Sequence, residues 1–245
     1  MRIIALFNQK GGVGKTTTTV NLGAALAEAG QNVVLVDLDP QANLSAHLGV
    51  EVEAAGLSTY RVLTDGIPLA ETLQEVAPRI RVAPATTDLA AAEVELVAVP
   101  GRELLLRKMA AQSKIEADFV LIDCPPSLGL LTVNGLAAAT EVVVPIQCEY
   151  YALEGLGQLL RNVALVQKNL NPSLEVSAII CVMYDARTKL SDQVVQEVRA
   201  HFGEKVCRNV VPRTVRLSEA PSFGQPIIAF DPTSLLGVPG LFGAF

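Results

Sequence analysis

The segment that most limits the fold comes first in the chain. An apolar run, Ile3–Phe7, gives way at once to Asn8-Gln9-Lys10-Gly11-Gly12-Val13-Gly14-Lys15-Thr16-Thr17. A helical pattern follows from Thr16 to Ala29 and ends at Gly30. A strand, a glycine-rich turn and a helix N-terminus, in that order, build a cradle for phosphate. The glycines let backbone N–H groups turn inward toward anionic oxygens, and the helix end adds partial positive charge. Lys15 places a point charge on β- and γ-phosphates, and the Thr16 hydroxyl is a ligand for Mg2+. One departure stands out. The usual G-x-x-x-x-G-K-[ST] spacing asks for glycine where this chain has Gln9, and a second lysine, Lys10, comes next.

The rest of the chain repeats the alternation of strand and helix. Strands are predicted at Val33–Val36, Arg81–Pro84, Phe119–Ile122, Val142–Ile146 and Val176–Met183, with short final ones at Val206–Val211 and Pro226–Ala229. Helices are predicted at Leu153–Leu170 and Leu190–Phe202. This order implies an α/β fold: a doubly wound, mostly parallel sheet with helices on both faces, of the P-loop NTPase type. Half of the residues are hydrophobic, and aromatic residues make up only 4%. A core of Val, Leu, Ile and Ala suits a parallel sheet buried on both sides. At 245 residues the expectation is one domain over 1–245, with residues 49–80 as an insertion on its body.

Two stretches put carboxylates at strand ends, where doubly wound sheets bind ligands. Val36-Asp37-Leu38-Asp39-Pro40 follows the second strand, and Phe119-Val-Leu-Ile-Asp123 closes on an acid. In the presence of the phosphate loop, Asp123 reads as the acid that holds Mg2+ through a water.

Charge excludes some classes. The net charge is −6, which argues against a chain that coats nucleic acid with its whole surface. Yet residues 187–216 hold seven basic side chains against three acidic ones, a local +4 that fits a phosphate-tracking patch. No base-reading motif accompanies it, so the DNA contact it suggests is non-specific. Cys124, Cys148, Cys181 and Cys207 form no C-x-x-C pair and read as reduced thiols. No apolar run reaches the ~18 residues of a membrane span, and no signal peptide is expected.

Lys10-Gly-Gly-Val-Gly-Lys15-Thr-Thr resembles the deviant phosphate loop of the ParA/MinD ATPase superfamily. Gln147-Cys-Glu-Tyr-Tyr-Ala-Leu-Glu-Gly155, Met183-Tyr-Asp-Ala-Arg-Thr188 and Val211-Pro-Arg-Thr-Val-Arg-Leu-Ser-Glu-Ala-Pro-Ser222 are similar to its ParA/Soj branch. The resemblance implies a Mg2+-dependent ATPase that alternates between ATP and ADP and joins two copies around ATP. Lys10 would then reach across the dimer to the partner's phosphates, as an arginine finger does. Nucleotide contacts are implied for Lys10, Gly11, Gly12, Val13, Gly14, Lys15, Thr16 and Thr17, with Pro212 and Arg213 near the adenine. Asp39 would position the attacking water, and Asp37 would stand on the magnesium side with Thr16 and Asp123. Arg187 and Arg216 would touch double-stranded DNA without sequence preference.

A ParB-type centromere-binding partner would stimulate hydrolysis. The implied location is the cytoplasm, on the nucleoid, with no stable membrane association. The alternative is a MinD-like membrane-associated ATPase that places the division site. That role needs a basic amphipathic C-terminal helix. The tail, Leu235–Phe245, has three glycines, Pro239 and no basic residue, so no stable helix is expected there.

Overall fold

The computed structural model describes residues 1–51 and 56–233. The tail reading therefore lies outside the described residues. Among these, seven strands form one sheet: β1 (Arg2–Leu6), β2 (Val33–Asp37), β3 (Gln74–Ala77), β4 (Ile80–Ala83), β5 (Phe119–Asp123), β6 (Glu141–Gln147) and β7 (Glu175–Val182). Their order across the sheet is β3-β4-β2-β5-β1-β6-β7. All neighbours run parallel except the β3–β4 pair at one edge.

The sheet is buried on both faces, and the two-residue period of a strand shows why. In β1, Ala5 faces one core and Ile4 and Leu6 the other. In β2, Val34 and Val36 face the first core and Val33 and Leu35 the second. The second core is closed by α1 (Lys15–Glu28), through Val20, Leu22 and Ala24, and by α10 (Ile227–Phe230). The first is closed by α3 (Thr59–Thr64), α4 (Leu89–Glu95), α5 (Leu105–Gln112), α6 (Leu130–Ala138), α7 (Ala152–Asn169) and α8 (Lys189–Phe202). Two five-residue helices, α2 (Asn43–His47) and α9 (Val215–Glu219), lie between these larger elements in sequence.

Three sequence expectations change. Val206–Val211 is no strand: it follows the β7 edge with one isolated bridge, Ile179 to Val206, and with bonds from Cys207 N and Val211 N to Ile179 O and Cys181 O. Pro226–Ala229 forms the helical turn α10: Ala229 N and Phe230 N bond back to the Pro226 carbonyl, and the Ile227 N–H donates to Asn21 Oδ1 at 2.7 Å, not to a strand. Residues 49–80 are less of an insertion than expected. Val62, Leu63 and Leu69 from this stretch are buried in the first core, and β3 is part of the sheet.

Candidate nucleotide site

The topology brings the expected site residues to one end of the sheet. β5 lies between β1 and β2, and Asp37 is in register with Asp123 at their C-terminal ends. The phosphate loop leaves β1 beside them. Gly12 and Gly14 adopt φ of +72° and +74°, a backbone region that other residues enter only with strain. A Cβ added to Gly11 or Gly12 would meet no atom within 4 Å, so the space beside these residues is open. Gly14 stands as the left-handed residue before α1, and its carbonyl accepts from Thr18 N at 2.8 Å and Thr18 Oγ1 at 2.7 Å.

Lys15 opens α1 and is only 7% exposed. Its Nζ makes one hydrogen bond among the described residues, to the Lys10 carbonyl at 3.4 Å. Burial lowers its pKa, partly offset by the nearby Asp123 and Asp39 carboxylates. Such an ammonium is poised for an anionic ligand.

The three aspartates differ in their surroundings. Asp123 accepts from Thr16 Oγ1 at 2.6 Å and from Thr19 Oγ1 at 3.3 Å. Burial and the neighbouring Asp37 push its pKa up to about 8, against the pull of Thr16 and Lys15. Asp37 accepts from Ser45 N at 2.9 Å, Ser45 Oγ at 2.8 Å and Asp39 N at 3.1 Å. Burial raises it to about 6, and the bonds from Ser45 oppose the shift. Asp39 lies farther along the chain, with Oδ1 accepting from Gln41 N at 3.0 Å. Buried acids raised in this way are short of positive charge, which is the chemistry a divalent cation supplies. A Thr hydroxyl beside carboxylates, a glycine cradle and a buried lysine together fit a magnesium nucleotide.

Gly11, Gly12, Gly14, Lys15, Thr16, Thr17 and Asp39 line a cavity of about 620 Å3. A second cavity of about 140 Å3 adjoins it through Gly14, Thr17 and Met183 and is walled by Pro212, Arg213 and Leu217. This places Pro212 and Arg213 at a flank of the phosphate loop. Met183, with φ of +54°, belongs to both cavities. The sequence placed it at the end of a predicted strand and within a family-like stretch, but not at the site, since a strained backbone angle leaves no mark in residue type.

Ser45 was not among the site residues singled out from the sequence. Its part as the anchor of Asp37 needs the fold, which sets α2 against the end of β2.

Lys10 is placed differently from Lys15. It does not line the large cavity, and its ammonium lies 2.5 Å from Glu149 Oε2 at the surface. Gln9, where the usual pattern has glycine, accepts from Asn162 Nδ2 of α7 at 2.8 Å. Of the two arginines, Arg187 is bound to Asp185 at 2.7 Å and Arg216 lies 3.4 Å from Glu219. Their segments are joined by the bridge between Tyr184 and Pro212. The expected basic run is divided, however. Lys205 and Arg208 line a different cavity, together with Arg2 and Ser177, beside the first half of β7.

Comparison with known proteins agrees with this geometry. A family model described as an AAA domain matches residues 1–176. The sporulation initiation inhibitor protein Soj of Bacillus subtilis is 52% identical over 234 residues, covering 95% of this chain and 92% of that relative. The chain belongs to the Soj/ParA family of chromosome-partitioning ATPases. Another Soj/ParA relative, the chromosome partitioning protein ParA of Myxococcus xanthus, is 51% identical over 94% of this chain and 82% of its own length.

Among solved structures, cobyrinic acid a,c-diamide synthase of Mycobacterium smegmatis with a bound ATP analogue and magnesium is 41% identical, with a TM-score of 0.82 over 91% of this chain and 93% of its own. The McdA–ATP complex of Cyanothece shares the fold, with a TM-score of 0.87 over the whole of this chain and 93% of its own, at 21% identity. The phosphate-loop fold expected for a Soj/ParA protein is thus the fold observed.

Proposed function

We propose that this ATPase segregates DNA by closing into a dimer around ATP, binding DNA without sequence preference and letting go when a ParB-type partner stimulates hydrolysis. The observation that carries the reading is the contrast between the two loop lysines. Lys15 lies buried in the cavity, whereas Lys10 stands outside its walls with a half-exposed side chain. A charge beside the phosphates but outside their own cavity suits delivery to a second copy.

In this reading the phosphate-loop amides and Lys15 bind the β- and γ-phosphates, and Pro212 and Arg213 border the base. Thr16, Asp37 and Asp123 are the residues that would hold Mg2+, directly or through water. The ion would supply charge neutralisation of the phosphates when bound. Asp39 orients the attacking water and takes its proton. Lys10 of the second copy offsets the charge that develops on the transferring phosphoryl group. Arg187 and Arg216 lie on segments joined at the Tyr184–Pro212 bridge, and a dimer would carry two such sets. Two sets on one DNA bind far more tightly than one. The protein would act in the cytoplasm, on the nucleoid and without stable membrane association. Among the described residues no helix is long and apolar enough to cross a membrane.

The experiment is DNA binding with ATP, with ADP and without nucleotide, each over a salt series. The ATP state should bind at least ten-fold more tightly, with the steepest salt dependence. Equal affinity in all three states would sink the switch. ATP-dependent sedimentation with liposomes would favour the MinD-like alternative.

A further inference from the structure

Glu149 lies outside the nucleotide cavity, in the turn between β6 and α7, yet it touches the most unusual residue of the phosphate loop. Its Oε2 is 2.5 Å from Lys10 Nζ, and the two side chains are 50% and 55% exposed. The root of Lys10 is held by the same strand. Lys10 N donates to Asn8 Oδ1 at 2.9 Å, and Asn8 Nδ2 donates to the Pro145 carbonyl of β6 at 2.7 Å. Root and tip are thus both tied to β6 and the turn after it. The ammonium is folded back over its own subunit.

We infer that Glu149 is a positioning residue for Lys10, holding the lysine on its own subunit until the nucleotide of a second copy competes for the charge. The inference rests on the reading of Lys10 given above. A lysine that extends across an interface must leave the turn it is folded over, so the ion pair and the trans contact exclude each other. The competition is unequal. Glu149 carries one charge in a solvated setting, while a nucleotide's terminal phosphates carry several in a sheltered one. Without nucleotide nothing across the interface draws the lysine away.

The size of the effect follows from exposure. A half-exposed pair of this kind contributes a factor of about two to five. A two-fold dimer breaks two of them, so dimerisation is weaker by about four- to 25-fold than it would be without the pairs. Salt screens such a pair, so the factor shrinks as ionic strength rises.

The test is the dimer dissociation constant by analytical ultracentrifugation, with Mg2+ and a non-hydrolysable ATP analogue, over a sodium chloride series. Glu149→Gln should dimerise about four- to 25-fold more tightly than the parent at low salt, with the gap closing at high salt. Glu149→Asp, which keeps the charge, should stay close to the parent. In a Lys10→Ala background the gain should vanish, which a merely structural role for Glu149 does not predict. Equal or weaker dimerisation by Glu149→Gln, or a gain that persists without Lys10, overturns the inference. Lys10→Ala dimerising as the parent does would instead overturn the trans-lysine reading itself. Melting curves of each variant without nucleotide establish that the folded chain is being compared.

Discussion

The Thr16 hydroxyl donates a 2.6 Å hydrogen bond to Asp123 Oδ2, joining the first turn of α1 to the end of β5. The bond to Asp123 spans more than a hundred residues of chain, and Thr19 adds a second, longer one at 3.3 Å. The oxygens proposed to hold a magnesium ion are thus brought together from two elements by the fold.

Asp123→Asn keeps the size of the side chain and an acceptor for Thr16 but removes the charge. The Mg2+ concentration that supports half-maximal ATP turnover should rise by about 10- to 100-fold. A magnesium titration of phosphate release checks this, and an unchanged midpoint would refute the role.

Asp39→Ala should leave ATP bound within a few-fold of the parent affinity while turnover drops by about 100-fold or more. Equilibrium nucleotide binding and phosphate release, measured on the same preparation, separate the two effects. Normal turnover would remove Asp39 from the reaction.

Ser45→Ala should destabilise the fold. Ser45 Oγ donates to Asp37 and accepts from Ala85 N at 3.0 Å, so the variant leaves two buried polar groups short of a partner. The cost is about 2–3 kcal/mol, or roughly 4–12 °C in melting temperature. A denaturation midpoint equal to the parent's would show that water replaces the hydroxyl at no cost.

A pH effect follows from the first strand. Arg2 holds Glu141 with two bonds, of 2.8 and 2.7 Å, and these keep the carboxyl below its ordinary value of 4.5 despite partial burial. A folded pKa below the unfolded one means stability that is fully present above the ordinary glutamate range and lost as pH falls through the folded value. Arg2 is half exposed, so solvent limits the contribution to about 0.5–1 kcal/mol. Glu141→Gln should be less stable than the parent by that amount at pH 7 and indistinguishable from it in strong acid. Urea midpoints over a pH series check the crossover. A gap that is the same at both extremes would show that the pair's charge plays no part.

The parts of this molecule that were legible from residue type are those governed by local chemistry. Gly12, Gly14, Lys15 and Thr16 advertise the phosphate cradle, because only those residue types satisfy its backbone angles and charge. The parallel strands were legible from their apolar runs, to within a residue or two at each end. What escaped is decided by partners far apart in the chain. Pro226–Ala229 reads as a strand by composition, yet it forms a helical turn whose first N–H is bonded to Asn21 on α1. Gln74–Ala77 is too polar to announce itself as a strand, since it lies at the sheet edge with half-exposed or exposed side chains. The Glu149–Lys10 pair joins two turns 139 residues apart, and nothing in either turn names the other.

The ties between Tyr184 and the 211–213 segment have a use beyond architecture. Tyr184 N donates to the Val211 carbonyl at 3.0 Å, and Arg213 N donates to the Tyr184 carbonyl at 2.9 Å. The amide of Arg213 belongs to the wall of the smaller cavity, that of Tyr184 comes directly after the wall residue Met183, and both lie in the stretches that carry Arg187 and Arg216. They are natural reporters. If, as proposed, a base fills the cavity and a polyanion covers the arginines, deuterium uptake would slow on one side for the first and on the other for the second, so a single spectrum would follow both in the same molecule.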